Sequence, residues 1–200
     1  DILMALYDAT NGDNWTNHTN WGTDMPLSEW YGVSVSTKDG KERVWSLSLE
    51  SNNLVGTLPK EIGNLNLLTY LLLNDNELTG CIPTSIGNMT ALEQLYLGSN
   101  QLTGSIPAEI GNLSQLWRCD LYYNQLTGSI PAEFGNLASL QVCYLYGNQL
   151  TGNIPPELGN LSNLETCYLS NNQLTGEIPA SLSNLTKLEV MYFYGNMLSG

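Results

Sequence analysis

Positive charge is scarce in this chain. Its 200 residues include 6 Lys and Arg against 19 Asp and Glu, which gives a formal net charge of −13. Part of the basic set, Lys38, Lys41 and Arg43, lies together near the N-terminus. A surface with this balance repels phosphate backbones and anionic lipid headgroups. We therefore expect no nucleic-acid partner, and no acidic polysaccharide partner unless a cation bridges the two.

The sequence also lacks the residues and motifs that catalysis and metal binding require. His18 is the single histidine, and it lies in a segment rich in Trp and Asn. Metal-ligand spacing, a glycine-rich phosphate loop and a nucleophile motif are absent. Glu109, Glu133 and Glu157 recur at a constant interval, but each follows a proline where a short helix is predicted to start, and acidic side chains are favoured there. We expect no enzyme activity, no cofactor and no metal.

Long apolar runs are missing too. No run approaches the roughly 20 residues of a membrane-spanning helix, so we expect no membrane insertion of this chain. The sequence begins at Asp1 without Met or a signal peptide, and it stops at Gly200 in the middle of a repeated phrase. We interpret it as a piece of a longer or processed protein.

What the chain does contain is a repeat of constant length. The phrase N-x-L-x-G returns every 24 residues without insertion or deletion. Its asparagines are Asn52, Asn76, Asn100, Asn124, Asn148, Asn172 and Asn196. The unit reads L-x-x-L-x-L-x-x-N-x-L-T-G-x-I-P-x-x-I/L-G-N-L-x-x. A period in this range indicates a solenoid of stacked supersecondary units.

Each part of the repeat has a predicted structural role. In L-x-L the leucines alternate with variable residues, which indicates a short strand with one buried face. Successive coils then pair in parallel, about 4.8 Å apart. We predict that the asparagines bond backbone groups left unpaired where the strand turns away. Gly and Pro supply the bend, and segments such as "EIGNLSQL" are predicted to cross the opposite side as short helical or 3₁₀ turns.

The repeat resembles the plant-type leucine-rich repeat, whose "LTGxIP" phrase occurs in plant receptor-kinase ectodomains and polygalacturonase-inhibiting proteins. The resemblance covers roughly residues 44–200, as six to seven units. It implies an α/β solenoid, a right-handed superhelix with a parallel β-sheet on the concave face and short 3₁₀ or helical segments on the convex face. It also implies a short second strand around "TGxIP".

Residues 1–43 break the period and contain Trp15, Trp21 and Trp30. A repeat array needs a cap over its terminal leucines, so this segment is predicted to be the N-terminal cap. Its phrases "ALYDATNGDNWTNHTNW" and "LSEWYGV" resemble the capping regions of surface proteins from algae, protists and bacteria. Residues 1–10 are predicted to begin with a short helix. We find no comparable C-terminal cap.

The cysteines are predicted to be unpaired. Those that share one leucine position in consecutive coils are Cys119, Cys143 and Cys167. We expect them to be buried free thiols, because parallel side chains disfavour the disulfide torsion. Cys81 is predicted to be more exposed. Where related caps carry paired cysteines this chain has Ser28 and Val35, which removes the usual disulfide argument for secretion.

Six N-x-S/T sequons provide glycosylation candidates. They are Asn14, Asn17, Asn88, Asn112, Asn160 and Asn184. Several follow from the repeated phrase "GNLS/T" and are not independent of one another. They are compatible with an extracellular or cell-surface location. A cytoplasmic location stays open because the cap lacks its disulfide.

Tyrosine is concentrated at the variable positions beside the L-x-L leucines, which are predicted to face the concave side. The predicted ligand-binding residues are Tyr70, Tyr96, Arg118, Asp120, Tyr122, Tyr144, Tyr146, Tyr168, Tyr192 and Tyr194. Tyrosine rings present flat faces to sugars or extended peptides, and the charged pair could fix a ligand's orientation. The alternative is that tyrosine serves β propensity and cross-strand stacking without any ligand.

The sequence thus predicts a non-enzymatic recognition module that binds a peptide, a protein or a neutral glycan. The resemblance implies a role in cell-surface sensing, adhesion or inhibition of a foreign enzyme. The main alternative is a scaffold segment of a larger intracellular signalling protein, such as a Roco-type GTPase. A minor alternative is ice or mineral binding through a threonine column that lies beside a glutamine column. Its members are Thr79, Thr103, Thr127, Thr151 and Thr175, beside Gln101, Gln125, Gln149 and Gln173.

Overall fold

The computed structural model describes residues 2–38 and 40–200. The N-terminal region starts with helix α1 (Ile2–Ala9), which buries Leu3, Leu6 and Tyr7 on one face. The predicted helix is therefore confirmed, with residue 1 outside the described residues. Two short 3₁₀ helices follow, Gly12–Asn14 and Leu27–Glu29.

Aromatic rings hold this region together. Trp21 lies in the middle, with ring centroids 5.8 Å from Tyr7, 4.8 Å from Trp15 and 5.2 Å from Trp30. Each indole N–H donates to a backbone carbonyl, for example Trp15 Nε1 to Thr10 O at 2.9 Å. These rings and the leucines of the repeats belong to one continuous hydrophobic core.

An antiparallel hairpin joins the N-terminal region to the repeats. It consists of β1 (Val33–Lys38) and β2 (Lys41–Ser48). The last residues of β2 also pair in parallel with the first strand of the repeats. The boundary predicted between residues 43 and 44 lies inside β2, so the two regions are connected by an unbroken strand.

The repeats build one parallel sheet. Its strands are three residues long, and the middle side chain of each points into the core while its two neighbours lie on the other face. They are β4 (Tyr70–Leu72), β6 (Gln94–Tyr96), β7 (Arg118–Asp120), β8 (Val142–Tyr144), β9 (Thr166–Tyr168) and β11 (Val190–Tyr192). The complete order is β1-β2-β4-β6-β7-β8-β9-β11. We call the side of this sheet that faces away from the core the concave face.

A second set of strands, fewer in number, follows the turn in some of the coils. The pairs are β3 (Val55–Thr57) with β5 (Glu77–Thr79), and β10 (Thr175–Glu177) with β12 (Met197–Ser199). Isolated bridges such as Ser105↔Thr127 continue the pattern between them. The convex side carries 3₁₀ helices at Lys60–Asn64, Thr84–Asn88, Ala108–Asn112, Ala132–Asn136, Pro156–Asn160 and Ala180–Asn184. The solenoid predicted from the period is therefore confirmed.

The thiols also lie where the period predicts. Cys119 pairs in register with Cys143, and Cys143 with Cys167, and all three are free and buried. Burial raises the pKa of the Cys119 thiol well above its ordinary range. Cys81 is free and exposed, as expected.

The asparagines that recur every 24 residues form a column, and their side chains hydrogen-bond backbone N–H and C=O groups in each coil. Asn124 is typical: its Oδ1 accepts from the backbone N–H of Leu102 at 2.9 Å, in the preceding coil. Its Nδ2 donates to the carbonyl of Leu97 at 2.9 Å and to that of its own coil's Leu121 at 3.2 Å. The side chain is 8 % exposed. One amide therefore ties two coils together and pairs groups that would otherwise be buried without partners.

Replacing Asn124 by Leu should lower the free energy of unfolding by about 1–3 kcal/mol, because the backbone groups of two coils lose their partners. Chemical denaturation followed by circular dichroism measures this loss. The matched control is Gln125→Leu, since Gln125 is exposed in the next position and the change is similar in chemistry. Equal stability of the two variants would contradict the structural role of the column.

Candidate ligand-binding surface

The concave face carries a continuous cluster of tyrosines, which we call the tyrosine surface. Its members are Tyr96, Tyr122, Tyr123, Tyr144, Tyr146, Tyr168, Tyr192 and Tyr194. Four of them are the last residues of β6, β8, β9 and β11, while the others follow two or three positions after a strand ends. Strand alternation turns these side chains away from the leucine core, except at Tyr123, which is exposed and has a φ of +48°. Exposure is greatest in the last coil, where Tyr194 is 63 % exposed.

The rings stack on one another along the solenoid. The centroids of Tyr144 and Tyr168 are 4.7 Å apart and those of Tyr168 and Tyr192 are 4.5 Å apart, with interplanar angles of 28° and 29°. In the neighbouring column Tyr122 and Tyr146 stack at 5.1 Å with an angle of 5°. The stacked faces are therefore covered by other tyrosines, and the ring edges and hydroxyl groups are left to face a ligand.

Arg118 is the cation within this cluster. Its guanidinium carbon is 4.8 Å from the ring centroid of Tyr96 and 5.4 Å from that of Tyr144. The same group binds Asp120 in a bidentate manner, with Nη2 to Oδ2 at 3.0 Å and Nε to Oδ1 at 3.2 Å. The Arg118 side chain is 31 % exposed, whereas that of Asp120 is 4 % exposed.

Burial raises the pKa of groups in this cluster, among them Asp120 and Tyr146. It raises the pKa of the Asp120 carboxyl above its ordinary value of 3.8, although Arg118 acts in the opposite direction. Burial also raises the pKa of Tyr146 to about 12, with further contributions from Tyr122 and Tyr123. The Tyr146 phenol therefore stays protonated at physiological pH. A tyrosine hydroxyl can both donate and accept a hydrogen bond.

Two glycines make room for the rings. A methyl group on Gly98 would overlap the ring of Tyr122, so the ring of the following coil occupies the space above this glycine. In the same way Tyr123 occupies the space above Gly147, whose φ is +69°. Both contacts lean the tyrosines toward the neighbouring coil. This role was not predicted from the sequence, although each glycine stands in the same column as a tyrosine of a neighbouring coil.

The structure adds detail to three of these expectations. Tyr70 does not join the cluster: its ring contacts Trp45 at 5.6 Å, one coil before the tyrosine surface begins. Asp120 is buried, and its carboxylate is bound by Arg118, so Arg118 is the more accessible member of the charged pair. The expected open ring faces are mostly paired with each other, since adjacent strands bring them into contact. Tyr123, by contrast, belongs to the surface although it was not among the predicted ligand-binding residues. That the cluster binds a ligand stays a prediction.

The remaining sequence candidates lie away from this face. Most sequon asparagines are exposed, and those at Asn88, Asn112, Asn160 and Asn184 end the convex 3₁₀ helices. Asn17 is half-buried, and its Oδ1 accepts from Thr19. Glu109, Glu133 and Glu157 lie on the convex 3₁₀ helices. His18 lies beside Tyr7 in the N-terminal region.

A groove of about 850 Å³ runs along the flank of the solenoid, with Ile106, Pro107, Ile130 and Pro131 in its lining. Each coil contributes the same phrase to it, so the groove reflects the repeat and has no distinctive chemistry. In the part of the chain that the structure describes, no three His, Cys, Asp or Glu side chains come together as a metal site. None of the helices in residues 2–38 and 40–200 has the length and apolar character that a membrane crossing requires.

Comparison with known proteins agrees with this architecture. Leucine-rich-repeat sequence profiles match residues 42–102, 115–137, 139–161 and 163–185. Among curated proteins, none matches the chain significantly.

Solved structures are similar over most of the chain. The plant peptide hormone receptor RGFR1, in complex with RGF2, has a TM-score of 0.76 and 40% identity, covering 77% of this chain and 25% of the receptor. The PEPR1–AtPEP1 structure has a TM-score of 0.90 and 32% identity, covering 98% of this chain and 28% of that one.

A plant ice-binding protein has a TM-score of 0.86 and 30% identity, covering 98% of this chain and 70% of that protein. This chain spans about a quarter of the two receptor chains but most of the ice-binding protein. The sequence profiles and the similar structures agree on one assignment: the chain belongs to the leucine-rich-repeat family, as a plant-type leucine-rich-repeat domain.

Proposed function

We propose that this chain is a non-enzymatic recognition module that binds an extended peptide segment on the tyrosine surface. The observation that carries the proposal is the contiguous cluster itself, which spans the coils from Tyr96 to Tyr194. A large aromatic patch on a soluble surface is typical of an interaction site. Tyrosine supplies wide contact area with little side-chain entropy to lose, and its hydroxyls add directional bonds.

The stacking of the rings favours a peptide over a glycan. A sugar ring binds an aromatic side chain through its face, and the faces in the Tyr144, Tyr168 and Tyr192 stack are covered by neighbouring rings. An extended peptide can instead use a row of hydroxyl groups, because its backbone offers a donor and an acceptor at each residue. The glycan alternative therefore depends on the few faces at the ends of the stacks.

Similarity to receptor ectodomains supports the same interpretation. RGFR1 is a plant peptide hormone receptor solved with RGF2, and 77% of this chain matches it at 40% identity. We place the module at the cell surface or outside the cell, a location with which the exposed sequons are compatible. Glycan occupancy at Asn14 in the native host would argue against the intracellular scaffold.

Replacing Tyr144, Tyr168 and Tyr192 by Phe should keep the stacks and the fold but lower peptide affinity at least about tenfold, because three hydroxyls are lost. The corresponding Ala variant should also lower the free energy of unfolding by about 1–3 kcal/mol, since two ring stacks disappear. Binding is measured by screening the wild-type chain against a peptide library and neutral cell-surface polysaccharides.

Tyr31→Ala is the matched control, because Tyr31 is exposed in the N-terminal region, away from the concave face. It should leave the affinity of every hit unchanged. A peptide hit that both triple variants retain would place recognition elsewhere on the chain. A polysaccharide hit that survives the Phe variant would favour the glycan alternative.

Ice binding is the second candidate, and a specific observation favours it. Outside the concave face, a regular polar strip runs along the second set of strands. The strip consists of two columns of uncharged residues that recur every 24 positions. They are Gln101, Gln125, Gln149 and Gln173, and Thr103, Thr127, Thr151 and Thr175. Backbone bonds of 2.8–2.9 Å hold the strip in register, for example Thr127 N–H to Gly104 O. Structural similarity to a plant ice-binding protein also supports this candidate.

If this candidate is right, the wild-type chain should show thermal hysteresis and inhibit ice recrystallisation. Replacing the exposed Thr127 and Thr151 by Lys should remove both effects, because the charge and length of Lys disrupt the regular strip. The Tyr144, Tyr168 and Tyr192 Phe variant serves as the control and should retain them. Absence of both effects in the wild-type chain would remove ice from consideration.

A further inference from the structure

We propose that the tyrosine surface selects positively charged peptides, with Lys or Arg side chains, over neutral or acidic ones. This rests on the proposed peptide-binding function and names the class of ligand for the same site. The concave face has a negative balance of charge, which three separate features produce.

The first feature is that the cation in the cluster is already compensated. Arg118 contacts Asp120 through both Nε and Nη2, at distances between 3.0 and 3.2 Å. A guanidinium bound in this bidentate way has little free charge for a ligand carboxylate. An acidic peptide would therefore have to displace Asp120, which is buried and already bound to the guanidinium.

The second feature is an acidic margin along the start of the strands. The column that precedes the concave strands contains Glu93, Glu165 and Glu189. The backbones of this column pair between coils, for example Glu189 N–H with Glu165 O at 2.8 Å. Trp45 stands in the same column and contacts Tyr70 on the next strand, so a long side chain at this position can contact a residue of the neighbouring strand.

The opposite margin is acidic as well. Asp75 is exposed beyond the end of β4, two coils before Tyr122. The pKa of the Tyr122 phenol is raised, mainly by burial and next by the negative charge of Asp75. Asp75 therefore acts electrostatically on the tyrosine surface. Acidic residues thus stand both before and after the strands of the sheet.

The third feature is where the other basic residues lie. From Trp45 onward the sequence contains only Lys60, Arg118 and Lys187 as basic residues. Lys60 starts a convex 3₁₀ helix, and Lys187 Nζ donates to Asn163 Oδ1 at 2.7 Å on that side. Within residues 45–200, all of which the structure describes, Arg118 is thus the one basic group on the concave face. With a net charge of −13, the chain also attracts cations at long range.

The rings themselves accommodate a cation. Arg118 lies against Tyr96 and Tyr144 at 4.8 and 5.4 Å, so the cluster already holds one guanidinium by cation–π contact. Tyr123 and Tyr194 are the most exposed rings and offer similar contacts to a ligand's Lys or Arg. Charge complementarity and ring chemistry therefore point to the same class of peptide.

The test uses a display library of random peptides about 16 residues long, panned on the wild-type chain at physiological ionic strength. An extended peptide of this length is more than long enough to cross the five coils of the surface, which span roughly 20 Å. Lys and Arg should be enriched over Asp and Glu among the peptides whose binding is lost in the Tyr144, Tyr168 and Tyr192 Phe variant. A representative peptide is then synthesised together with a version in which each Lys is replaced by Glu. The Lys version should bind more tightly, and the difference should shrink as salt is raised.

Two charge variants locate the effect. The first variant combines Glu93→Gln, Glu165→Gln and Glu189→Gln. Its affinity for the Lys peptide should fall about tenfold, which corresponds to roughly two- to threefold for each charge removed. The matched control, Glu109→Gln, Glu133→Gln and Glu157→Gln, removes the same net charge from the convex side and should change binding by less than about twofold. Equal effects of the two sets would indicate long-range attraction alone and overturn local selection.

Asp120→Asn provides a test with the opposite sign. This variant keeps the shape of the side chain but removes the carboxylate that neutralises Arg118, so the preference should shift toward the Glu version of the peptide.

If the library yields peptides that need the tyrosine hydroxyls but carry no excess of Lys or Arg, the charge selection is wrong while peptide binding stands. If it yields no peptide at all, both proposals fail.

Discussion

Hydrogen bonding between coils at a constant spacing is the constraint on which this structure depends. Asn124 and its equivalents bond the coil before them and their own coil at the same time, so each turn repeats the last. The leucines can then fill the interior in identical layers, and the free thiols of Cys119, Cys143 and Cys167 occupy leucine positions without disturbing the layers. Inserting one residue into a coil would disrupt both the asparagine hydrogen bonds and the leucine layers. This gives a physical reason for the constant period.

The same spacing determines what the concave face can present. Parallel strands lie about 4.8 Å apart, which is close to the separation of stacked aromatic rings. Tyrosines at the same strand position in adjacent coils therefore stack, as Tyr144, Tyr168 and Tyr192 do. Stability and recognition are coupled in this arrangement, because the rings stabilise the sheet through their faces and meet a ligand through their hydroxyls. From the sequence these two roles are alternatives, whereas the geometry allows one residue to perform both.

Features that repeat could be predicted from the sequence, and features that occur once could not. The fold, the buried asparagines, the convex 3₁₀ helices and the free thiols all follow from the period. The contact between Arg118 and Asp120, the space above Gly98 and Gly147, and the separation of Tyr70 from the cluster depend on side-chain torsions in one coil. No periodic signal contains that information. The candidate site was therefore predicted as a face, while its internal contacts came only from the structure.

The two polar faces of the solenoid differ in regularity, and this difference bears on what each can bind. The strip of Gln and Thr repeats with little change from coil to coil, so it suits a target that is itself periodic, such as a crystal surface. The concave columns change from coil to coil, with Gly98, Asp120 and Ser170 standing among the tyrosines. An irregular surface can discriminate between ligands whose chemical groups differ along their length, which is a property of peptides. The breaks in the repeat, and not the repeat itself, are thus where specificity for a peptide can be encoded.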